Sequence, residues 1–568
     1  MTANIEIYKD IAIHAIESVY ESEYHNTLGI PMPQIKILMP DDADYITGQY
    51  YIMIDDTWQI HLNFGKLPIS FKEFEDEVKV LTRHEIEHYM CCPFDVITHL
   101  RMLKCIIDVY RKDFSHLGID IQHACGSISN QAADIIVDTK NYLRNPQDTL
   151  ISEINWIKKG ANIKNCPRHS KLMFLTKEAL WETSLEINET DQDLLAIVHE
   201  LADKFKVNGI EDKASFLSKT REYARTFFNL YIKDKLSPHN EGQQDSQSQQ
   251  GNQSQQGSQS QQGGYNISPA KPKDGDENGS AFVFADPDKI KEAITALAGE
   301  TDVQEFADVL SAAGIKSLNE SEKYKLWFSI QGDNIIPIEE YINSGNKEEY
   351  TFPSTWRIGD PIGTLDIMLS FQTSPKILPG ITTKKWEKTT NAINGVEKKN
   401  RDLLLVLDTS GSMKNVLDES SNMHQAVLAA YGIISYFEKI QGKIALIEFS
   451  ERVGVNINWT NDYEDVRNQL LVNGQGGTTF PISAIRNTID NSKNEIVTII
   501  ITDGELGNLQ ESLNYFREYI DNDNILYIFI IGQSRTLANY ERLKDIGAKV
   551  FQSNKAEEFC NMVMDDIG

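Results

Sequence analysis

Apolar positions follow two rhythms in this chain. Between Ser70 and Met90, Phe71, Phe74, Val78 and Leu81 recur at alternating spacings of three and four, which predicts an amphipathic helix with that stripe facing inward. Similar patterns predict helices over Ser129–Leu143, Lys171–Leu185 and Asp191–Phe205. Three short runs read as strands: Gln34–Met39, then Gln49–Ile54 and Gln59–Phe64, which flank Asp55-Asp56 as a hairpin. Toward the C-terminus the rhythm changes. Asp402–Leu407 is almost unbroken apolar sequence, the pattern of a strand buried on both faces of a parallel sheet. Lys443–Phe449, Glu495–Thr502 and Ile525–Ile531 repeat it, with helical stretches such as His424–Ile440 between them. Strands alternating with helices imply a doubly wound α/β domain. The predicted class is multidomain, α+β followed by α/β.

The two rhythms are separated by a segment with neither. From Ser237 to Ser280 the chain is mostly Gln, Ser and Gly, a composition that buries no core and predicts a flexible tether. The expected organisation is residues 1–236 as an N-terminal domain, 237–284 as linker, 285–400 as an adaptor region and 401–568 as the α/β domain. The adaptor carries helices at Asp288–Leu297 and Val303–Ala313, the run Trp356-Arg357-Ile358-Gly359-Asp360, and Leu378-Pro379-Gly380. It is expected to pack on the C-terminal domain.

Composition narrows the function. A net charge of −28 opposes binding to nucleic acid or anionic membranes. No stretch of eighteen apolar residues predicts a transmembrane helix. The first ten residues lack the basic and apolar regions of a signal peptide. Six cysteines are too few and scattered for a disulfide framework, so the expected compartment is the cytoplasm.

The inward stripe of the first helix runs into His84-Glu85-Ile86-Glu87-His88, an HExxH motif. Continued, it lands on Glu85 and His88, with His84 one turn beyond Leu81. Burying two imidazoles and a carboxylate without a partner is costly, and a metal ion is the simplest partner. Histidines at i and i+4 can grip one zinc ion, while the adjacent glutamate polarises a bound water. Cys91-Cys92 lacks CxxC spacing and reads as buried thiols.

Helix, strand, hairpin and HExxH helix, in that order, resemble the zincin metallopeptidase fold. The resemblance implies a substrate-binding edge strand, for which Ile60-His61-Leu62-Asn63 is the candidate. A third metal ligand six residues past the second histidine, as in metzincins, would fall on Phe94 and is excluded; Asp95 and His99 are also at the wrong spacing. Gluzincins carry a ligand carboxylate with a supporting aspartate four residues on. Asp134 and Asp138 match that spacing, aspartate replacing the usual glutamate, with His123 in reserve.

A second constellation lies at the carboxyl ends of the C-terminal strands, where ligands bind in such sheets. It comprises Asp408-Thr409-Ser410-Gly411-Ser412, Gly476-Gly477-Thr478 and Thr502-Asp503-Gly504. The set resembles the von Willebrand factor A fold and its metal-ion-dependent adhesion site. By that resemblance Ser410, Ser412 and Thr478 bind Mg²⁺ or Mn²⁺, Asp408 and Asp503 act mainly through water, and a partner's carboxylate completes the shell.

Together the two ends resemble bacterial von Willebrand-A-like proteins with an N-terminal metallopeptidase domain, commonly companions of MoxR-type AAA+ ATPases. The resemblance implies a zinc peptidase in which His84, His88 and Asp134 hold Zn²⁺ and Glu85 is general base. The von Willebrand-type domain would select the protein substrate or partner. The alternative is a non-catalytic adaptor of an AAA+ ATPase, whose zinc merely staples the fold through a fourth ligand such as Cys91, Cys92 or His123.

Overall fold

The structure, a computed structural model, describes residues 2–25, 32, 34–38, 50–54, 59–64, 70–160, 163–236, 287–315, 318–336, 347–356, 365–366, 370, 383–391, 401–492, 494–506, 508–532 and 538–567. The Gln/Ser/Gly-rich linker, Asp55-Asp56, Arg357–Asp360 and Leu378–Gly380 lie outside the described residues. The chain divides into two units, Met1–Trp327 and Phe328–Gly568.

The first unit opens with helix α1 (Thr2–Val19), continued by a π-helical turn at Tyr20–Tyr24. Strands β1 (Gln34–Leu38), β2 (Tyr50–Ile54) and β3 (Gln59–Phe64) form a sheet in the order β1-β3-β2. The hairpin is present, since β2 runs antiparallel to β3. β1 pairs parallel to the other side of β3, with Lys36 opposite His61. The segment Ile60–Asn63, expected at an edge, is therefore central, and the edges are β1 and β2. Hairpin signals fix one neighbour of a strand; the distant parallel partner leaves no local mark.

Helix α2 (Phe71–Met90) carries the HExxH motif. Ser70 caps it, its side chain accepting the Glu73 amide at 3.3 Å. Phe74 and Val78 are fully buried against Ala12, Ala15, Ile16 and Val19 of α1. The Tyr8 ring meets Phe74 edge-on at 4.8 Å. Phe71, the first residue of the predicted stripe, is instead 45% exposed at the opening turn, flanked by Tyr8.

There follow α3 (Val96–Val109), α4 (Ile121–Arg144), α5 (Pro146–Gly160), α6 (Arg168–Trp181), α7 (Gln192–Lys206), α8 (Phe216–Leu236), α9 (Pro287–Gly299), α10 (Val303–Ala312) and α11 (Glu320–Asn334), the last running across the unit boundary. α4 is the hub, touching α2, α3, α5, α6, α8 and α10. Its Ala132, Ile135, Ile136 and Val137 are fully buried. Side chains that face inward from α4 are therefore fixed by packing on several sides.

α9 and α10 pack on α3, which corrects the domain limit at residue 236 and the first part of the expected adaptor, residues 285–327, while residues 328–400 belong to the second unit. The two helices bury Leu297, Val303, Phe306 and Leu310 completely. Ion pairs join them to α3 and the π-helical turn Tyr110–Phe114 that continues it: Arg101 with Glu300 at 2.5 Å, Lys104 with Glu305 at 3.0 Å, and Arg111 with Asp308. The Gln/Ser/Gly segment is thus flanked on both sides by helices of the same unit. A flexible composition marks a tether without saying which body it rejoins.

In the second unit, β4 (Lys347–Thr355), β5 (Leu365–Asp366) and β6 (Lys384–Asn391) form a small antiparallel sheet. The α/β part contains β7 (Asp402–Asp408), α12 (Asn422–Lys439), β8 (Ile444–Phe449), β9 (Val453–Thr460), α13 (Tyr463–Gln469), α14 (Ile482–Asp490), β10 (Ile496–Thr502), α15 (Leu513–Asp521), β11 (Ile525–Ile531), α16 (Ala538–Lys544), β12 (Lys549–Ser553) and α17 (Ala556–Ile567). Its six strands run in the order β12-β11-β10-β7-β8-β9, all parallel except edge strand β9. Every residue of β7 and β10 is buried, as their unbroken apolar runs require. Strand order reverses between β7 and β10, so a crevice opens at their carboxyl ends.

Candidate metal centres

In the first unit, α2 and α4 each supply a pair of residues one turn apart. His84 and His88 face Asp134 and Asp138 across the helix interface. His84 Nε2 lies 3.0 Å from His88 Nε2, and Asp134 Oδ1 lies 3.2 Å from His88 Nε2 and 3.7 Å from His84 Nε2. Tetrahedral bonds of 2.0–2.1 Å to zinc place donor atoms about 3.3 Å apart, and these three separations bracket that value.

The hydrogen bonds behind these atoms decide what they can hold. His84 Nδ1 lies 2.7 Å from Asp138 Oδ1, and His88 Nδ1 lies 2.8 Å from the carbonyl of Cys92. Both partners only accept, so both Nδ1 atoms carry the proton and both Nε2 atoms of the neutral rings present lone pairs. Asp134 Oδ1 is buried with no donor, while its Oδ2 accepts from Asn130 at 2.9 Å. Three proton-free acceptors thus converge on one point, an arrangement that a cation satisfies and that water alone does not. Without the cation a proton substitutes. Burial opposes charging His84, but Asp138, Asp134 and Glu85 outweigh it and hold its pKa up at about 10.

Asp138 is anchored in turn. Lys177 of α6, 2% exposed, lies 2.5 Å from Asp138 Oδ2 and 2.9 Å from Glu153 Oε1 of α5. Burial alone would push the Asp138 carboxyl up; Lys177 and His84 hold it well below its usual range. On the other side of α2, fully buried Glu87 meets Lys140 at 2.8 Å, Arg144 at 3.0 Å and the Tyr24 hydroxyl at 3.1 Å. These pairs fix the rotation of α2 against α4, which sets where both histidines point. Lys177 and Glu87 carry no local sequence signal, because their partners lie 24 to 63 positions away.

Glu85 sits in the field of His84 and His88, and burial raises its carboxyl pKa. Among the described residues, His84, His88 and Asp134 form the cluster of acidic, thiol and imidazole groups able to hold a metal. Cys91 and Cys92 are buried free thiols whose pKa values burial raises, Cys91 to about 11. Cys92 serves the centre through its carbonyl, not its sulfur. Asp95 caps α3 by accepting the Thr98 amide. Burial and then His88 lower His99 to about 4, leaving it neutral. His123 belongs to α4, with its side chain outside the described residues.

The second constellation sits at the crevice of the α/β sheet. Asp408, fully buried, ends β7; its Oδ1 accepts the Ser410 amide at 2.9 Å and its Oδ2 accepts the Thr502 hydroxyl at 2.7 Å. Ser410 Oγ and Ser412 Oγ are 3.2 Å apart. Asp503 follows β10, 7% exposed. The loop bearing Thr478 is strapped to this one: Gln475 N–H donates to the Thr409 carbonyl at 2.8 Å and Gly411 N–H to the Gly476 carbonyl at 3.0 Å. Gly474 is required there, since a Cβ would stand 2.3 Å from the Ser410 carbonyl oxygen. Gly476 has φ +72°, which suits glycine. All five expected residues thus lie at the carboxyl ends of the strands or on the loops there, Asp408 closing β7 itself. Thr502, part of the sequence pattern but given no role there, orients Asp408. Burial raises the Asp408 pKa, with Asp503 adding to it, against hydrogen bonds from Thr502 and Ser410. Hydroxyls and clustered carboxylates are the oxygen donors that hard divalent cations take.

Residues 403–505 match the von Willebrand factor type A domain. The C-terminal part of the chain is therefore a domain of that type, a protein-interaction module. Among solved structures, an aerotolerance-related membrane protein from Bacteroides fragilis with multiple mutations to serines is 15% identical. The match covers 29% of this chain and 98% of that one, with a TM-score of 0.24. BatB, a conserved hypothetical protein from Bacteroides thetaiotaomicron, is 16% identical over 29% of this chain and 97% of its own, also with a TM-score of 0.24. The PilB minor pilin from Streptococcus sanguinis is 17% identical over 34% and 64%, again at 0.24. No curated protein matches the chain.

Proposed function

We propose that this protein is a zinc-dependent peptidase of zincin type, whose von Willebrand-type domain recruits a protein partner through a bound Mg²⁺ or Mn²⁺. The observation that carries the first half is the convergence of His84 Nε2, His88 Nε2 and the donorless Asp134 Oδ1 beside Glu85. Zinc held by these three donors supplies Lewis acidity toward water and a peptide carbonyl. Glu85 takes the proton of the attacking water and returns it to the leaving amine; its raised pKa suits both steps. Asp138, held by Lys177, keeps the His84 proton on Nδ1, while the Cys92 carbonyl does the same for His88. His84, His88 and Asp134 beside Glu85 are the three-ligand set and general base that a catalytic zinc site uses.

In the C-terminal domain, Ser410, Ser412 and Thr478 hold the cation, with Asp408 and Asp503 behind them. A partner's carboxylate binds from the open side. A MoxR-type AAA+ ATPase is the proposed partner class, with a protein or peptide as substrate.

Glu85→Gln tests the reading. In the full chain it should leave zinc content unchanged and cut cleavage of an unfolded protein or mixed peptide substrate by about 10² or more. Undiminished cleavage with zinc retained would rule Glu85 out as the base. A pull-down comparing wild type with Asp408→Ala tests the other half, the variant losing the partner while keeping cleavage.

A further inference from the structure

The ring of Tyr540, on α16, packs in one buried cluster with Val406, Phe480 and Leu506. Those residues lie two before Asp408, two after Thr478 and three after Asp503, so the cluster that holds the ring reaches the base of each of the three loops of the C-terminal centre. Side chains alternate along a strand, so Asp408 shares a face with Val406, and Thr502 with Ile500; Val406 and Ile500 both belong to Tyr540's cluster. Ile530, opposite Thr502 in the neighbouring strand, belongs to it as well.

Tyr540 is 1% exposed, and its hydroxyl has no hydrogen-bond partner among the described residues. A buried phenol left unpaired is costly, and such groups usually mark an absent water or ion. Burial, then Asp408 and Asp503, raise its pKa, so the phenol keeps its proton.

We propose that Tyr540 is a positioning residue of the C-terminal cation site, its hydroxyl accepting a hydrogen bond from a water of the cation's hydration shell and donating toward the Asp408–Asp503 carboxylates. This rests on the divalent-cation reading above. A metal-held water has polarised O–H bonds and needs acceptors for its protons. Tyr540 supplies one from the protein side, which would tie cation affinity to a residue outside the three loops.

The test uses the full chain, Mn²⁺ as the probe and electron paramagnetic resonance to count bound metal. Mn²⁺ bound by wild type but not by Asp408→Ala defines this site, leaving any metal at His84 and His88 common to both. Tyr540→Phe should weaken that share about tenfold. The same variant without metal should melt at the wild-type temperature or higher, because an unpaired buried hydroxyl has been removed. A merely structural role would instead lower metal-free stability. Affinity within twofold of wild type overturns the proposal. Absence of any Asp408-dependent Mn²⁺ in wild type overturns the underlying site reading too, and is distinguishable because it appears before Tyr540 is altered.

Discussion

At the residue scale, the N-terminal centre depends on which atoms carry protons. Asp138 and the Cys92 carbonyl hold the Nδ1 protons of His84 and His88, leaving both Nε2 atoms free. Asp138→Asn can offer an N–H to Nδ1 and so favour the wrong tautomer. It should weaken zinc about 10- to 100-fold, read by competition with a chelating dye, while the fold measured by circular dichroism is unchanged. Glu448 on β8 gives an independent pH signature for the C-terminal domain. It is 2% exposed, and burial pushes its carboxyl up from 4.5 to about 8. Between those values the unfolded chain sheds a proton that the native state keeps, so stability falls as pH rises from about 4.5 to 8 and then levels off. Glu448→Gln should remove that fall, stabilising the domain by up to about 5 kcal/mol at pH 8 and by little near pH 4.5. Denaturant unfolding at the two pH values checks this. The chemistry-bearing residues were readable because histidine and carboxylate at fixed spacings have few other uses. The roles of Lys177, Glu87, Thr502 and Tyr540 were not, because each acts through a partner distant in sequence.

At the element scale, α2 is held by two different devices. Phe74 and Val78 bind it to α1, while Glu87 binds it to α4 through Lys140 and Arg144. Removing the Phe74 ring should cost about 3–5 kcal/mol by cavity formation. Glu87→Ala removes the buried carboxylate that Lys140 and Arg144 share, leaving them Glu211 and Glu23, and should cost about 1–3 kcal/mol, with zinc weakened because α2 loses a tie to α4; thermal melts with zinc analysis check both. The buried runs of β7, β8, β10 and β11 were legible because pattern and burial agree, and so was the middle of the α2 stripe at Phe74 and Val78. β9 was missed because its pattern is of an exposed, half-covered edge strand, and β12 because it is short and partly exposed. β3 was misplaced at an edge because its parallel partner β1 comes from before the hairpin.

At the scale of the molecule, the largest difference from the sequence reading is where α9 and α10 belong. Charge and apolar pattern identified them as helices. Their burial against α3, and the pairing of Arg101, Lys104 and Arg111 with Glu300, Glu305 and Asp308, show where they dock. Cleavage within residues 237–286 should therefore leave the two fragments associated on size exclusion at physiological salt. Separation without denaturant would contradict that docking. No helix among the described residues is long and apolar enough to cross a membrane.

X-ray absorption on the zinc-loaded full chain tests the proposed three-ligand zinc centre most directly. Two imidazole nitrogens, one carboxylate oxygen and one further light-atom ligand at about 2.0–2.2 Å, with no sulfur, are expected from His84, His88, Asp134 and water. A zinc–sulfur shell near 2.3 Å, a third imidazole, or no stoichiometric zinc at all would contradict it.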